Sequence, residues 1–185
     1  MTVRARARAW GRAAGVMVIV IAADRLTKAW VGSAIARGDR EDVFLGIDLV
    51  NVRNRGIAFG FFAEGRVPVL VFTAAALVVL LAYFATHAGR RGLWLPTGLL
   101  LGGAVGNLID RVRDDAVTDF VDLPLWPAFN LADTAITVGV LSLLYVAEVG
   151  RDARERAGND GDWSSDRGEL GVGERAEPDG DPRPA

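Results

Sequence analysis

Residues 69 to 85 read VLVFTAAALVVLLAYFA, a run without a single charged side chain. A backbone surrounded by such residues has to satisfy its own hydrogen bonds, and in a bilayer only a helix or a closed barrel does that. Four windows are apolar enough to approach the roughly 20 residues that a helical span needs. They are Ala13 to Val31, Val67 to Ala88, Leu93 to Ile109 and Thr134 to Val149. The first follows Arg4, Arg6, Arg8 and Arg12, which is also how a cleaved signal peptide begins. It runs into Asp24, Arg25 and Lys28 and not into a small-residue cleavage site, so it is read as a retained span.

The chain has 185 residues, 51% of them hydrophobic and 24% charged, and the two kinds are segregated. Gly150 to Ala185 holds 10 of the acidic residues and 6 arginines with almost no aliphatic side chains, and is expected to be a disordered acidic cytoplasmic tail. Arginines also cluster at the N-terminus, at Arg90 and Arg91, and after the fourth window. With four spans all three clusters fall on one side, which the positive-inside rule makes cytoplasmic. Gly32 to Arg66 and Arg111 to Asp133 then face outward. The fold expected is a membrane all-α protein with a small β element: four transmembrane helices, a small extracytoplasmic surface sheet and the tail. Residues 32–66 alternate in short apolar runs and read equally well as strands on the membrane surface or as an irregular loop. Pro124, Trp126, Pro127 and Phe129 read as a turn-rich aromatic stretch at headgroup depth.

Composition narrows the chemistry. There is no cysteine, one histidine (His87) and one lysine (Lys28), so thiol nucleophiles, disulfides and multi-imidazole metal sites are excluded. Aspartate remains for acid–base work, and an ionisable residue beside an apolar span is a functional candidate. Asp24, Asp110, Arg111, Asp119, Asp122 and Asp133 all fall near the outer ends of the spans. Asp133 opens the fourth, three residues after Asn130, and either could be a plain helix N-cap. Asp119 has apolar neighbours that limit its hydration, although a turn aspartate is the plainer reading. If Asp119 and Asp133 meet, they can share one proton, as paired carboxylates do in aspartic proteases. Asp110 also lies within reach of Asp133 and stays open as its partner; Arg111 offers Asp110 a counter-ion. Gly102, Gly103 and Gly106 are spaced for close helix approach, and Asp24 and Lys28, four apart, can pair.

Five strings, Asp24-Arg-Leu-Thr-Lys28, Asn54-x-Gly-x-Ala-Phe-Gly60, Gly102-Gly-Ala-x-Gly-Asn-Leu-Ile-Asp-Arg111, Val117-x-Asp-Phe120 and Phe129-Asn-x-Ala-Asp133, together resemble the lipoprotein signal peptidase (signal peptidase II) family over roughly residues 13 to 149. The resemblance implies a membrane-embedded aspartic endopeptidase, residues 1–149, that cuts bacterial prolipoproteins before a diacylglyceryl-modified cysteine. It implies Asp119 and Asp133 as the catalytic pair. Asn54, Gly56, Asn107, Arg111 and Asn130 would line the substrate groove, with Asp24, Lys28 and Asp110 in support. The expected partners are the lipid-modified prolipoprotein and membrane lipids, with no nucleic acid, no metal and no cofactor, the protein acting as a monomer in the bacterial cytoplasmic (inner) membrane with both termini cytoplasmic. Two other readings are weaker. A proton channel would want acidic residues at the bilayer midplane, and a Ser33–Lys28 pair would have poor geometry and leave the aspartates unexplained.

Overall fold

The computed structural model describes residues 2–44, 46–56, 66–90 and 92–169. Among them the chain runs α1 (Val3–Ala34), β1 (Arg40–Phe44), β2 (Ile47–Asn54), α2 (Arg66–His87), α3 (Trp94–Asp114), β3 (Val117–Leu123), β4 (Trp126–Phe129) and α4 (Leu131–Glu169). It divides into two units, 1–146 and 147–185.

Helix α1 begins where Thr2 offers its side-chain oxygen to the Ala5 N–H, and it ends where Ile35 turns extended. Helix α3 stops at Asp115, which adopts φ 56, the left-handed geometry common just past a helix end. Its glycines determine how tightly the helices meet. A Cβ on Gly98 would lie 2.6 Å from Val16 Cβ, and one on Gly102 would lie 2.7 Å from Val20 Cβ, so this stripe receives α1. Gly103, one residue round the helix, meets the start of α4: a Cβ there would stand 2.4 Å from the Ala132 carbonyl oxygen. Helix α3 is thus pressed between α1 and α4, as the spacing of its small residues predicts.

The four strands form one antiparallel sheet in the order β1-β2-β3-β4. Val52 pairs with Asp119 and Asp48 with Asp122. Val31 and Ile35 at the end of α1 pack with Phe120 of β3, which fixes the sheet against the helices. A second cluster, Ala13, Phe84, Ala88 and Leu93, closes the opposite end of the helices.

Within residues 32–66 the structure has strands at Arg40–Phe44 and Ile47–Asn54, so the strand reading holds there over the irregular loop; 45 and 57–65, including the end of the Asn54 string, lie outside the described residues. Of the stretch expected as an aromatic turn, Pro124 and Leu125 form a turn and Trp126–Phe129 is strand β4, paired with Val117–Leu123, strand β3, before it. Val117, Asp119 and Val121 alternate with Thr118, Phe120 and Asp122 and pair with β2, and the outer edge of β3 then takes up Trp126–Phe129, so pairing overrides the Pro127 signal. The tail expected to be disordered from 150 is helical to Glu169. Ala, Arg and Glu are good helix formers, and Arg151 bonds Glu148 at 2.5 Å along the axis. Residues 170–185 lie outside the described part.

Among the described residues, Leu131–Arg151 is the helical stretch both long and apolar enough to cross a membrane, and it is mostly exposed, unlike a soluble protein's core helix. Val71–His87 is a shorter apolar helix. Helices α1 and α3 carry Asp24, Arg25, Lys28, Asn107, Asp110 and Arg111 within their apolar stretches, which lowers their hydropathy whatever their surroundings.

The glycine contacts give a direct prediction. Gly103→Ala forces a methyl group onto a backbone oxygen and is expected to cost about 1–3 kcal/mol, the usual range for overpacking. Gly32→Ala, where nothing lies within 4 Å, is expected to cost nothing. Unfolding of the two variants in the same detergent compares them.

Candidate active site

Helix α4 starts with Asn130 and Asp133 capping one another. Asn130 Oδ1 accepts the Asp133 N–H at 3.0 Å and Asp133 Oδ2 accepts the Asn130 N–H at 3.2 Å. This reciprocal box satisfies two otherwise free donors of the first turn. A third is met from another helix: Asp24 Oδ1 on α1 accepts the Ala132 N–H at 3.0 Å. The plain capping role therefore uses both Asn130 and Asp133.

Behind this helix start lies a buried ionic cluster. Lys28 Nζ stands 2.7 Å from Asp24 Oδ2 and 2.7 Å from Asp110 Oδ2, and Arg25 pairs with the other oxygen of Asp110. The counter-ions of Asp110 are therefore Arg25 and Lys28, not the adjacent Arg111. Neighbours in a helix point about 100° apart, so Arg111 faces elsewhere. Arg111 donates to the carbonyls of Gly56 at 3.1 Å and Asn107 at 3.4 Å.

Asn107 links the cluster to the cavity. Its Oδ1 accepts from Lys28 Nζ at 3.2 Å, which orients the amide so that Nδ2 donates to Asp133 Oδ1 at 2.8 Å. Asn130 Nδ2 reaches the same Asn107 oxygen at 3.3 Å and donates to Asp119 Oδ1 at 2.7 Å. The other Asp119 oxygen accepts from Asn54 Nδ2 at 2.9 Å, and Asn54 Oδ1 in turn accepts the Gly56 N–H at 2.9 Å.

Asp119 from β3 and Asp133 from α4 thus stand on either side of one amide, that of Asn130. Both line a cavity of about 1020 Å³ whose polar end also has Asn54, Gly56, Asn107 and Arg111. Its other walls are largely apolar, with Phe72, Leu77 and Leu80 from α2, Leu100 from α3 and Ile136 from α4, and Arg53 and Arg55 also line it. Asp119 is only 2% exposed. Burial pushes its carboxyl up to about 6; Asp133's charge adds to this, while hydrogen bonds from Asn54 and Asn130 and the charge of Lys28 oppose it.

Asp24, Lys28 and Asp110 are not on the cavity wall. Asn130, expected on the groove, is instead fully buried behind the carboxylates with its donors and acceptor all engaged. Ser33 donates to the Trp30 carbonyl at 2.7 Å while Lys28 is held in the cluster, so they do not form a pair. His87 stacks on Tyr83 away from the cavity. Two contributions escaped sequence reasoning. Arg25 had a signal, a second cation inside an apolar window; the α2 wall had none, because every face of that helix is apolar. Among the described residues no three His, Cys, Asp or Glu side chains are grouped to hold a metal ion.

Known proteins with this arrangement are recognisable by sequence and by fold. The profile of the signal peptidase (SPase) II family matches residues 16–148. A lipoprotein signal peptidase of Oleidesulfovibrio alaskensis is 46% identical over 134 residues, 67% of this chain and 86% of that one. That of Syntrophomonas wolfei is 38% identical over 151 residues, 80% of this chain and 98% of that one. A bacterial membrane enzyme solved by the in meso method superposes with a TM-score of 0.69 at 28% identity, covering 77% of this chain and 90% of that one. Matched by profile over most of its length, and by close relatives and an experimental fold, the chain belongs to the signal peptidase II family.

Proposed function

We propose that this protein is an aspartic endopeptidase that removes the signal peptide from diacylglyceryl-modified prolipoproteins, cutting before the lipidated cysteine, with Asp119 and Asp133 activating one water. Family membership implies a peptidase acting on prolipoproteins and an integral membrane protein. The observation that supports the finer reading is the convergence of two carboxylates, from β3 and α4, at the polar end of one otherwise apolar cavity.

The chemistry follows from the hydrogen bonds. The pair reacts in the form that holds one proton, and burial favours Asp119 as its site. Asp133 serves as the base, its Oδ1 receiving the Asn107 amide and its Oδ2 the Asn130 N–H. A water between them gives its proton to Asp133 while its oxygen attacks the scissile carbonyl carbon. The Asp119 proton passes to the carbonyl oxygen, forming a neutral gem-diol. Asp133 then returns its proton to the leaving amine as the C–N bond breaks, and Asp119 takes one back as the carbonyl re-forms. Asn54, Gly56, Asn107 and Arg111 line the groove for the extended peptide. Helices α1 to α4 cross the inner membrane with both termini cytoplasmic, which places the pair at the outer face where water is available. The protein acts as a monomer, residues 1–149 forming the peptidase and 150–185 a separate cytoplasmic extension.

Three outcomes are expected. Asp119→Asn and Asp133→Asn, assayed by cleavage of a purified diacylglyceryl prolipoprotein, each lose about 10²–10⁴-fold in rate, the usual range for an acid–base group. Folded Asp110→Asn still cleaves. Undiminished cleavage by Asp119→Asn would remove it from the mechanism.

The second concerns pH. Because the folded Asp119 carboxyl titrates near 6 and the unfolded one near 3.8, the native state holds a proton the unfolded chain has lost between those values. Stability therefore declines as pH rises through this window, by on the order of 3 kcal/mol, and is unaffected by Asp119 below it. Thermal unfolding in detergent from pH 4 to 7 is expected to show this slope for the native protein and a flatter one for Asp119→Asn.

The third separates the structural and positioning roles of Lys28. Lys28→Met leaves Asp24 and Asp110 facing one cation, with an expected loss of about 3–5 kcal/mol. Adding Asp24→Asn rebalances the cluster and recovers part of that stability. The rate stays low by about 10²-fold in both, because Asn107 has lost the ammonium that orients it toward Asp133. Full rate in the double variant would show that the cluster serves folding alone.

A further inference from the structure

The cavity carries more positive charge than the proposed chemistry uses. Its charged lining, among the described residues, is Arg53, Arg55 and Arg111 together with Asp119 and Asp133. In the reacting form one carboxyl is protonated, so three cations face one anion. Arg111 is occupied by two backbone carbonyls. Arg53 and Arg55 are placed differently. They stand on either side of Asn54, the residue whose amide donates to Asp119 at 2.9 Å, where β2 ends. Arg53 is half-buried and donates to an uncharged acceptor, the Asp114 carbonyl, at 3.4 Å; Arg55 is exposed. Among the described residues neither guanidinium is ion-paired with a carboxylate. Elsewhere on the sheet charge is matched: Arg40 donates to Asp48 and Asp122 at 2.6 Å each, and neither aspartate lines the cavity.

A guanidinium without a carboxylate is stable while water surrounds it. A peptide that fills the cavity removes that water, and a cation stripped of water costs free energy unless an anion replaces it. The lipid part of the proposed substrate supplies none, because a diacylglyceryl thioether is uncharged. It suits the α2 wall, where Phe72, Thr73, Ala76, Leu77 and Leu80 carry no charge either. An apolar signal segment suits the same wall. The arginine wall is thus left for the chain on the other side of the scissile bond.

We infer that Arg53 and Arg55 form a subsite for an acidic side chain of the substrate, on the mature side of the cut and within three residues of the lipidated cysteine. Each arginine is one residue from Asn54, and one strand step plus an arginine's reach is about 10 Å, the span of three extended residues. A carboxylate placed there accepts from the planar guanidinium forks, a geometry that Arg favours. The inference rests on the proposed function and adds to it which prolipoproteins are preferred.

The test uses the full chain in a neutral detergent and diacylglyceryl prolipoproteins that differ in one residue, Asp, Asn or Lys, placed first, second or third after the cysteine. The readout is the ratio of kcat/KM between substrates for one protein preparation, which a partly inactive preparation leaves unchanged. At one or more of these positions the native protein is expected to prefer Asp to Asn by about tenfold, the size of one hydrogen bond to a charged group, with Lys below Asn. Arg53→Gln combined with Arg55→Gln brings the Asp/Asn ratio close to one, and Arg53→Glu combined with Arg55→Glu places Lys above Asp. Equal rates for Asp, Asn and Lys at all three positions would overturn the inference, as would an Asp preference that survives the change to Glu. A further arm adds phosphatidylglycerol to the Asn substrate. Competitive inhibition of the native protein that the double Gln variant escapes would also overturn it, since the arginines would then hold a lipid phosphate. Equal cleavage of every substrate leaves the peptidase reading standing; cleavage of none removes that reading and the subsite with it.

Discussion

The ammonium of Lys28 is the interaction on which the rest of this structure depends. It is buried among Asp24, Asp110 and Asn107, and with Arg25 the cluster holds two cations and two anions. A buried charge is tolerable only when paired and hydrogen-bonded, so the cluster forces α1 and α3 into one register. The same carboxylate that pairs with Lys28 also caps α4 through the Ala132 N–H. Three helices are thereby tied at one point. Such a cluster contributes less net stability than its contacts suggest, because desolvation offsets most of the attraction. Its effect is to specify geometry, and the geometry specified is the orientation of the Asn107 amide.

From that amide the order passes outward. With Lys28 on its oxygen, Asn107 can present only its NH₂ to Asp133, and with the Asp133 N–H on its side-chain oxygen, Asn130 directs its side-chain donor to Asp119. Each asparagine has one arrangement that satisfies both neighbours, so the two carboxylates receive donors and keep their remaining lone pairs for the cavity. The helix cap and the site are one set of bonds. A residue whose side chain must stay fixed for α4 to begin is also held where a reacting water would need it.

How much of this was legible follows from the kind of information each feature carries. The apolar windows, the ordering of the five strings and the small-residue stripe of α3 are local patterns, and residues 98–106 pack as their spacing predicts. The strands of β3 and β4 were not legible. Proline and aromatic residues at 124–129 score as turn and interface, and only the edge of β3, itself seated on β2, makes a strand of 126–129. Helix beyond Gly150 was missed because composition measures the ability to bury surface, whereas local helix propensity needs no burial. The counter-ion of Asp110 was misassigned for a similar reason: adjacency in sequence suggested Arg111, but the helix turns adjacent side chains apart. Arg25, distant in the chain, arrives because the glycines of α3 admit α1.

Those glycines also explain why the site cannot be loosened without being lost. Gly103 lets α4 approach until the Ala132 carbonyl occupies the space a methyl group would need. Asn107 sits one helical turn along from Gly103, and its bond to Asp133 is 2.8 Å long. Relieving a methyl group placed 2.4 Å from that oxygen takes a shift of about 1 Å, and along the Asn107–Asp133 bond such a shift carries the contact past hydrogen-bonding range. Asp133 would keep its place in the helix cap, since Asn130 moves with it, and would lose only the donor that comes from α3. The Asn130–Asp133 box is internal to the start of α4 and tolerant of such a shift, whereas the bonds from Asn107 to Asp133 and from the Ala132 N–H to Asp24 each span two helices. Close packing at Gly103 is therefore a condition for the carboxylates to be oriented, and the smallest residue in the chain sets the position of its most polar ones.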